Sequence, residues 1–318
     1  MYNLKVENDL GLSHQLQNAK VSKLISGSIK RKNQPISVAP EEDAPLFWRP
    51  DLFLLDRSTL YARLDPLRQQ RILKHYNNVL ISEFYFLEKS GLAYCAKMIL
   101  LGETTETRQL YGLIAADEAT HLEWITPYVD LACRTKPQGK LLPVLGKIIE
   151  DCDANSLYYL VQTIIEGWGM MTYKVMSKAC QCPHLKAILK NVMQDEAIHH
   201  ETGPALFEPE KITAQTAAFI YDRMKAYAEV LRVGPQTLVQ CIEKEVGELS
   251  ITELETLFDD IKTELTSHLK LQILKDLMLQ PQMEQYVQRL TDENYIHPYS
   301  AAECAKIYQK TRNFEQFV

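Results

Sequence analysis

Two five-residue stretches of this chain carry nearly the same side chains in the same order. Residues 117–121 and 195–199 both read Asp-Glu-Ala-x-His, which indicates an internal repeat. In a helix, residues three apart project from one face, so each Glu-x-x-His pair directs a carboxylate and an imidazole towards one point. Two such pairs that face each other would supply part of the ligand set of a dinuclear metal site.

The shift that superimposes these two motifs also aligns two further glutamates upstream of them. Glu88 aligns with Glu166, so the interval from Glu88 to Glu118 equals the interval from Glu166 to Glu196. Both follow apolar runs, where an unpaired carboxylate is costly to bury and a bound metal ion removes that cost. Four carboxylates and two divalent ions sum to zero charge, so such a site can lie in a dry core. The predicted ligands are Glu88, Glu118, His121, Glu166, Glu196 and His199.

This inventory resembles that of the ferritin-like di-iron carboxylate proteins, in which two helices give one carboxylate each and two others give a Glu-x-x-His. The resemblance covers about residues 66–203. It implies an all-α fold, with a ferritin-like four-helix bundle core and additional C-terminal helices. It also implies two iron ions as cofactors, and manganese is an alternative because similar oxygen-rich sites accept it.

The motif also resembles that of the ribonucleotide reductase small subunit, where the Asp before the ligand Glu holds the imidazole on the opposite helix. That resemblance implies that Asp195 orients His121 and that Asp117 orients His199, which would fix the tautomer of each ring. The position of the radical tyrosine of that family is Ile125 here, which argues against a reductase radical subunit.

One other glutamate of the first predicted helix competes with Glu88. Glu83 lies earlier on that helix, about 140° around from Glu88 at about 3.6 residues per turn, so both side chains cannot point at the same metals. The longer interval from Glu83 to Glu118 is one that some di-iron families use. The matched repeat favours Glu88, and Glu83 is the alternative ligand.

Residues close to the predicted ligands indicate a pocket for dioxygen or a substrate, apolar on one side and mildly polar on the other. The two glycines follow their glutamates by one helical turn, which suits either an open space beside the metals or close helix packing. The tyrosine lies two turns after Glu166 on the same face. The candidate pocket residues are Phe84, Gly91, Gln162, Thr163, Gly169 and Tyr173.

Helices must position all of these residues, since the 318-residue chain has 46% apolar residues and only 12 Gly and 14 Pro. We expect ligand-bearing helices over 66–101, 105–133, 155–180 and 183–203, and a connecting helix over 141–151. Further helices are predicted over 213–233, 236–246, 251–279 and 283–290. The predicted organisation is an irregular N-terminal arm (1–45), the di-iron bundle (46–206) and a helical C-terminal extension packed on it (207–318).

Charge and the amino terminus limit the partners and the location that we expect. The net charge is −6 without a basic block, so neither nucleic acid nor an anionic membrane surface is indicated. Charged residues interrupt the longest apolar segment, which argues against a membrane span. The first residues contain no apolar segment typical of a signal peptide, so we expect a cytoplasmic protein. Seven cysteines without a Cys-x-x-Cys are expected to be reduced thiols.

Three classes of function fit this pattern. The first is a non-haem di-iron oxygenase or oxidase that uses O2 to oxidise a small organic substrate. Its electrons would come from a separate reductase, because the chain has no flavin or nicotinamide fingerprint. The second is a ferritin-type ferroxidase or iron-handling protein, and the third is a helical scaffold. The long C-terminal extension, which is also a candidate homodimer contact, favours the first class.

Length and the helical extension are similar to those of the amine N-oxygenases typified by p-aminobenzoate N-oxygenase. That family has a third His one helical turn before the final ligand Glu, where this chain has Val192. The difference weakens N-oxygenation and leaves hydroxylation, desaturation and oxidative carbon-carbon cleavage open. The equal spacing of the glutamates in the two halves also resembles that of the shorter aldehyde-deformylating oxygenases.

Overall fold

The computed structural model describes residues 46–134 and 139–315, without the side chains of residues 105, 106 and 313–315. Every regular element in this part of the chain is helical, which confirms the all-α class. The expected N-terminal arm (1–45) and the break at Pro137 lie outside the described residues.

Eleven principal helices follow one another in these residues. The first five are α1 (Pro66–Leu101), α2 (Thr105–Ile125), α3 (Leu141–Asp151), α4 (the consecutive stretches Ala154–Leu157, Tyr158–Ile165 and Glu166–Ala179) and α5 (Pro183–Leu206). The others are α6 (Ala214–Arg232), α7 (Gln236–Val246), α8 (Ile251–Asp260), α9 (Thr263–Met278), α10 (Glu284–Asp292) and α11 (Ala301–Glu315).

Helix α1 begins and ends where the sequence predicts. The side chain of Asp65 accepts hydrogen bonds from the backbone N–H groups of Leu67 and Arg68, and Pro66 occupies the first helical position, where its missing N–H costs nothing. Its 36 residues span about 54 Å at about 1.5 Å per residue. This length lets one helix reach both the predicted ligands and the C-terminal helices.

Helix α4 contains an uncommon feature directly before Glu166. Its first turn is capped by Asp153, slightly earlier than the sequence analysis expected, and residues Tyr158–Ile165 then form a π-helix. Helix α5 approaches this stretch closely at Gly203, where an added Cβ would lie 2.8 Å from the Thr163 nitrogen. Wide π turns change the direction in which the following side chains project, and they are frequent at functional sites.

Three other helix boundaries differ from the predictions. Helix α2 ends at Ile125 rather than near residue 133, because Pro127 cannot continue its hydrogen bonds. The helix expected over 251–279 is divided at Lys262, whose φ of 52° is left-handed. Helix α11 was not predicted, although Ser300 and Glu303 form a capping box at its start.

The C-terminal helices share hydrophobic clusters with the first five. One cluster joins Tyr94 of α1 and Leu160 of α4 to Met224 of α6 and Leu274 of α9. Another packs α7, α8 and α11 against the first turns of α1. No helix in the described residues combines the length and the hydropathy that crossing a membrane requires.

Candidate metal centre

The six predicted ligands lie together in the interior. Their donor atoms form two groups of four, and within each group the atoms all lie within 4.8 Å of one another. Glu118 and Glu196 belong to both groups. Glu88 and His121 complete one group, and Glu166 and His199 complete the other. The arrangement is a buried carboxylate and imidazole cluster that could hold a metal ion.

Four helices position these side chains, two as single carboxylates and two as Glu-x-x-His pairs. Helices α1 and α2 are joined by a short loop, as are α4 and α5, so that each pair packs side by side. Helix α1 carries Glu88, and α4 carries Glu166 directly after its π-helical stretch. The one-turn spacing within each Glu-x-x-His then brings its two donors to the same side of α2 or α5.

Each imidazole presents Nδ1 to the carboxylates of the cluster. His121 Nδ1 lies 3.1 Å from Glu88 Oε2, and His199 Nδ1 lies 3.2 Å from both Glu118 Oε1 and Glu196 Oε2. The two rings are therefore oriented alike, as the internal repeat predicts. Nδ1 of each ring is the atom available to a metal.

The opposite nitrogen of each ring faces an aspartate on the other motif-bearing helix. His121 Nε2 lies 3.0 Å from Asp195 Oδ2, and His199 Nε2 lies 3.6 Å from Asp117 Oδ2. These are the two crossed pairs that the resemblance implies. A carboxylate at this position holds the proton on Nε2, which leaves Nδ1 with its lone pair directed into the cluster.

Burial and mutual repulsion raise the pKa values of several glutamates in the cluster. Side chains of four ligands, Glu88, Glu118, Glu196 and His199, are no more than 4% exposed, and His121 is fully buried. Burial, together with the nearby Glu88 and Glu166 charges, raises the pKa of Glu118 to about 8. Burial also raises the pKa of Glu166 and of Glu196. Without added positive charge, the Glu118 carboxylate would hold a proton at neutral pH.

The pKa values of the two imidazoles are raised in spite of their burial. Although burial disfavours the imidazolium form, hydrogen bonds to Asp195 and Glu88 raise the pKa of His121 well above its usual range. The nearby carboxylates of Asp117, Glu118 and Glu196 likewise raise the pKa of His199. The site thus attracts cations. Because its donors are carboxylate oxygens and imidazole nitrogens, the residues fit a first-row divalent metal.

The two repeat-related glycines have different surroundings. An added Cβ at Gly91 would lie 2.6 Å from Glu118 Cδ, with one carboxylate oxygen closer still. At Gly169 an added Cβ would meet no atom within 4 Å. Gly91 therefore makes room for a ligand carboxylate, whereas Gly169 borders open space.

A small cavity of about 50 Å3 lies directly against the carboxylates. Glu88, Glu118, Glu166 and Glu196 form its polar wall. This volume is sufficient for a molecule of the size of water or dioxygen. Its remaining walls are Leu87, Ser90, Gly91, Tyr94, Leu141, Leu145, Ile149, Val161, Ile165, Trp168, Gly169 and Tyr173.

Of the predicted pocket residues, Gly91, Gly169 and Tyr173 line this cavity, and the Tyr173 hydroxyl donates a hydrogen bond to Glu88 Oε1. Burial, reinforced by the Glu88 charge, raises the pKa of Tyr173 well above its usual range. Tyr173 is therefore a neutral phenol that holds one ligand carboxylate. Phe84 packs against its ring, with centroids 4.9 Å apart, and lies outside the small cavity.

Gln162 and Thr163 do not form the polar side of the pocket that the sequence predicted. Gln162 Oε1 accepts hydrogen bonds from the hydroxyls of Tyr94 and Tyr111, and its Nε2 donates to the His199 carbonyl oxygen at 2.7 Å. The Thr163 hydroxyl donates to the Tyr158 carbonyl inside the π-helix. Both polar groups are thus satisfied by protein. Gln162 connects α4 to α1, α2 and α5, and neither residue borders the small cavity.

Glu83 lies apart from the cluster. Within the part of the chain that the structure describes, it belongs to neither four-residue group. It lines a second, larger cavity with Phe84 and Leu87. The turn of helix that separates Glu83 from Glu88 therefore directs the two carboxylates into different spaces.

Some residues that support the cluster were not predicted from the sequence. Tyr94 borders the small cavity, and with Tyr111 it holds the Gln162 amide. Tyr111 lies two helical turns before Glu118 on the same face, so helical periodicity could have indicated it. Leu145 and Ile149 border the cavity from α3. No local pattern marks these two residues as neighbours of the ligands.

Comparison with protein-family models, with curated proteins and with solved structures yields no match to this chain. What the described residues establish is an all-α protein with a buried Glu/His cluster able to hold a metal ion.

Proposed function

We propose that this chain is a non-haem di-iron oxygenase or oxidase of the ferritin-like carboxylate class, which uses O2 to oxidise a small organic substrate. One observation carries the proposal: the donor atoms form two four-residue groups that share Glu118 and Glu196. A single metal ion needs only one such group. Two groups with two common carboxylates are the donor set that a pair of bridged ions requires.

The chain's own residues would hold two ions in a symmetrical way. Glu118 and Glu196, which belong to both groups, would help to hold both ions, while Glu88 with His121 and Glu166 with His199 would each help to hold one ion. Two ferrous ions bound there would supply electrons for the reduction of dioxygen, and hard carboxylate oxygens suit iron in its oxidised forms. Manganese in one or both positions is compatible with the same donors.

The surrounding side chains would control protons and water. Asp117 and Asp195 keep the proton on the outer nitrogen of each imidazole. The neutral Tyr173 phenol holds Glu88 by a hydrogen bond and can move a proton at that carboxylate oxygen. Leu145, Ile149 and their apolar neighbours line the small cavity and would limit the access of bulk water to the metal site.

Metal analysis followed by oxygen consumption tests the proposal. Protein purified without added metal would be reconstituted anaerobically with Fe2+ or Mn2+, and bound metal would be counted after gel filtration. We expect two iron ions per chain and O2 uptake that depends on iron, is slow alone and becomes faster with a suitable organic compound.

Two results would argue against this function. Retention of one ion or none by the folded chain would contradict the dinuclear site. Oxidation of many equivalents of added iron per chain, with storage as a mineral, would instead identify a ferritin-type ferroxidase.

A further inference from the structure

A second cavity of about 450 Å3 lies between the ligand-bearing helices and the C-terminal helices. Helices α1, α4, α6, α7 and α9 all contribute to its walls. The volume falls in the range of about 300–1,000 Å3 typical of sites for small organic ligands. Its walls are mainly apolar, with Leu80, Phe84, Met171, Val175 and Leu231 among them.

Three charged side chains line this mainly apolar cavity, and one of them, Lys140, is an exposed residue directly before α3. Glu83 enters from α1 and Lys270 from α9. They influence each other electrostatically, yet within residues 46–134 and 139–315 neither makes a hydrogen bond or a direct ion pair. Because neither charge is neutralised by a direct partner, the ammonium group of Lys270 is available to pair with an anionic group of a ligand.

The two groups differ in how a ligand could reach them. Glu83 is partly buried, and the backbone of Gly139 covers it so closely that an added Cβ there would lie 2.7 Å from Glu83 Oε1. Lys270 is exposed to solvent where it borders the cavity. Of Glu83 and Lys270, Lys270 is therefore the one that a ligand can approach directly.

Their protonation supports the same choice. Burial raises the pKa of Glu83 to about 7, against the effect of the Lys270 charge, so Glu83 can be discharged by a proton near neutral pH. Desolvation by the surrounding protein lowers the pKa of Lys270, and the Glu83 charge opposes that shift. The ammonium group of Lys270 can form a charge-assisted hydrogen bond with an anionic ligand group.

The large cavity adjoins the small one at the carboxylate cluster. Leu87, Leu141 and Trp168 line both spaces and form the wall between them. Along α1, the step from Glu83 to Glu88 is a rise of about 7.5 Å. An apolar ligand body in the large cavity therefore lies one layer of side chains from the cluster.

We propose that this cavity is the substrate site and that it binds a monocarboxylic acid with an apolar body, whose carboxylate pairs with Lys270. That the ligand is a substrate rests on the proposed oxygenase function, whereas the binding site itself is inferred from the cavity and its charges. The ligand would be an aliphatic or aromatic acid that is long enough to reach the wall of Leu87 and Trp168.

Binding to the metal-free full chain tests this proposal without any redox chemistry. Isothermal titration calorimetry would compare decanoate and 4-phenylbutanoate with decylamine and 1-decanol, all below their micellar concentrations. We expect one carboxylate to bind per chain, with the amine and the alcohol at least tenfold weaker. Lys270→Met should weaken carboxylate binding by about 10- to 100-fold, the range of a hydrogen bond to a charged group.

Matched variants separate the site from a general charge effect. Lys275→Met removes the same charge from the same helix, and Lys275 does not border the cavity, so carboxylate binding should be unchanged. Lys270→Arg keeps the cation and should retain most of the affinity. If Lys270→Met does not fold, Lys270→Gln in the same titration takes its place.

Three outcomes would overturn the inference: neither carboxylate binds to the folded wild-type chain, the amine binds more tightly than the acids, or the Lys270 and Lys275 variants behave alike. Lys270-dependent carboxylate binding without iron-dependent O2 uptake would leave this site intact and refute the oxygenase function. Iron-dependent O2 uptake without carboxylate binding would support the oxygenase function and refute this binding site.

Discussion

Replacing Gly91 by alanine adds a single methyl group at the point where helix α1 lies against the Glu118 carboxylate. The new Cβ would be placed 2.6 Å from Glu118 Cδ, whereas non-bonded carbon atoms approach to about 3.5 Å. The carboxylate must therefore move by about 1 Å. Metal sites tolerate deviations of only about 0.2 Å in ligand distance, so Glu118 would be lost as a bridge between the two ions.

The size of the effect follows from the role of Glu118 in both donor groups. Loss of a supporting residue of a metal site already costs about 10- to 100-fold in affinity, and loss of a shared ligand should cost at least as much. The fold should survive, because alanine is favoured over glycine by about 1 kcal/mol inside a helix. We expect Gly91→Ala to be folded and to bind fewer than two ions per chain.

Gly169→Ala is the control that the internal repeat supplies. The added methyl would enter open space, so the variant should keep two ions and gain up to about 1 kcal/mol in free energy of unfolding. Competition with a chelator, followed by elemental analysis after gel filtration, would measure the affinities of both variants. Unchanged metal binding by Gly91→Ala, or equal losses in both variants, would refute this reasoning.

Three further predictions concern the ligands, pH and the support of His199. Glu88→Ala should lose at least one of two bound ions while Glu83→Ala keeps both, as elemental analysis would show, and the reverse result would mean that α1 is registered differently. The metal-free protein should lose stability as pH rises from about 5 to 8, because the raised pKa of Glu118, about 8, means that the folded state binds more protons than the unfolded state in this window. Bound metal should abolish or reverse this trend in urea unfolding midpoints, and identical profiles with and without metal would contradict the assignment. Gln162→Leu should lower the free energy of unfolding by about 1–3 kcal/mol, because it leaves buried tyrosine hydroxyls without their acceptor, and a change below about 0.5 kcal/mol would show that the amide is dispensable.

Much of the candidate site could be predicted from the sequence because helical periodicity determines which nearby residues share a face of a helix. A Glu-x-x-His on one helix face aims two donors at one point whatever surrounds the helix, and the internal repeat extends this to the single glutamates. Helix starts were equally local: the Asp65 cap and Pro66 determine the start of α1 by themselves. The all-α class followed from composition and periodicity.

Local pattern was insufficient where a residue's role depends on its neighbours in space. Gln162 has the spacing of a pocket residue, yet two tyrosines and the His199 carbonyl satisfy its amide, which depends on how α1, α2 and α5 pack around α4. The π-helix before Glu166 changes the direction of the side chains that regular α-helical geometry would place. Gly91 and Gly169 look equivalent in the repeat and differ only in what faces them.

The sequence by itself indicated five of the donors, their pairing on helix faces and the helices that carry them, and it favoured Glu88 over Glu83 as the sixth. Tertiary structure alone decided that Glu88 rather than Glu83 joins the cluster and that Glu83 shares a second cavity with Lys270, which lies far away along the chain. The physical reason is the distance along the chain over which a sequence pattern carries information. Helical periodicity relates residues a few turns apart, whereas a cavity exists only where distant helices fail to fill the space between them.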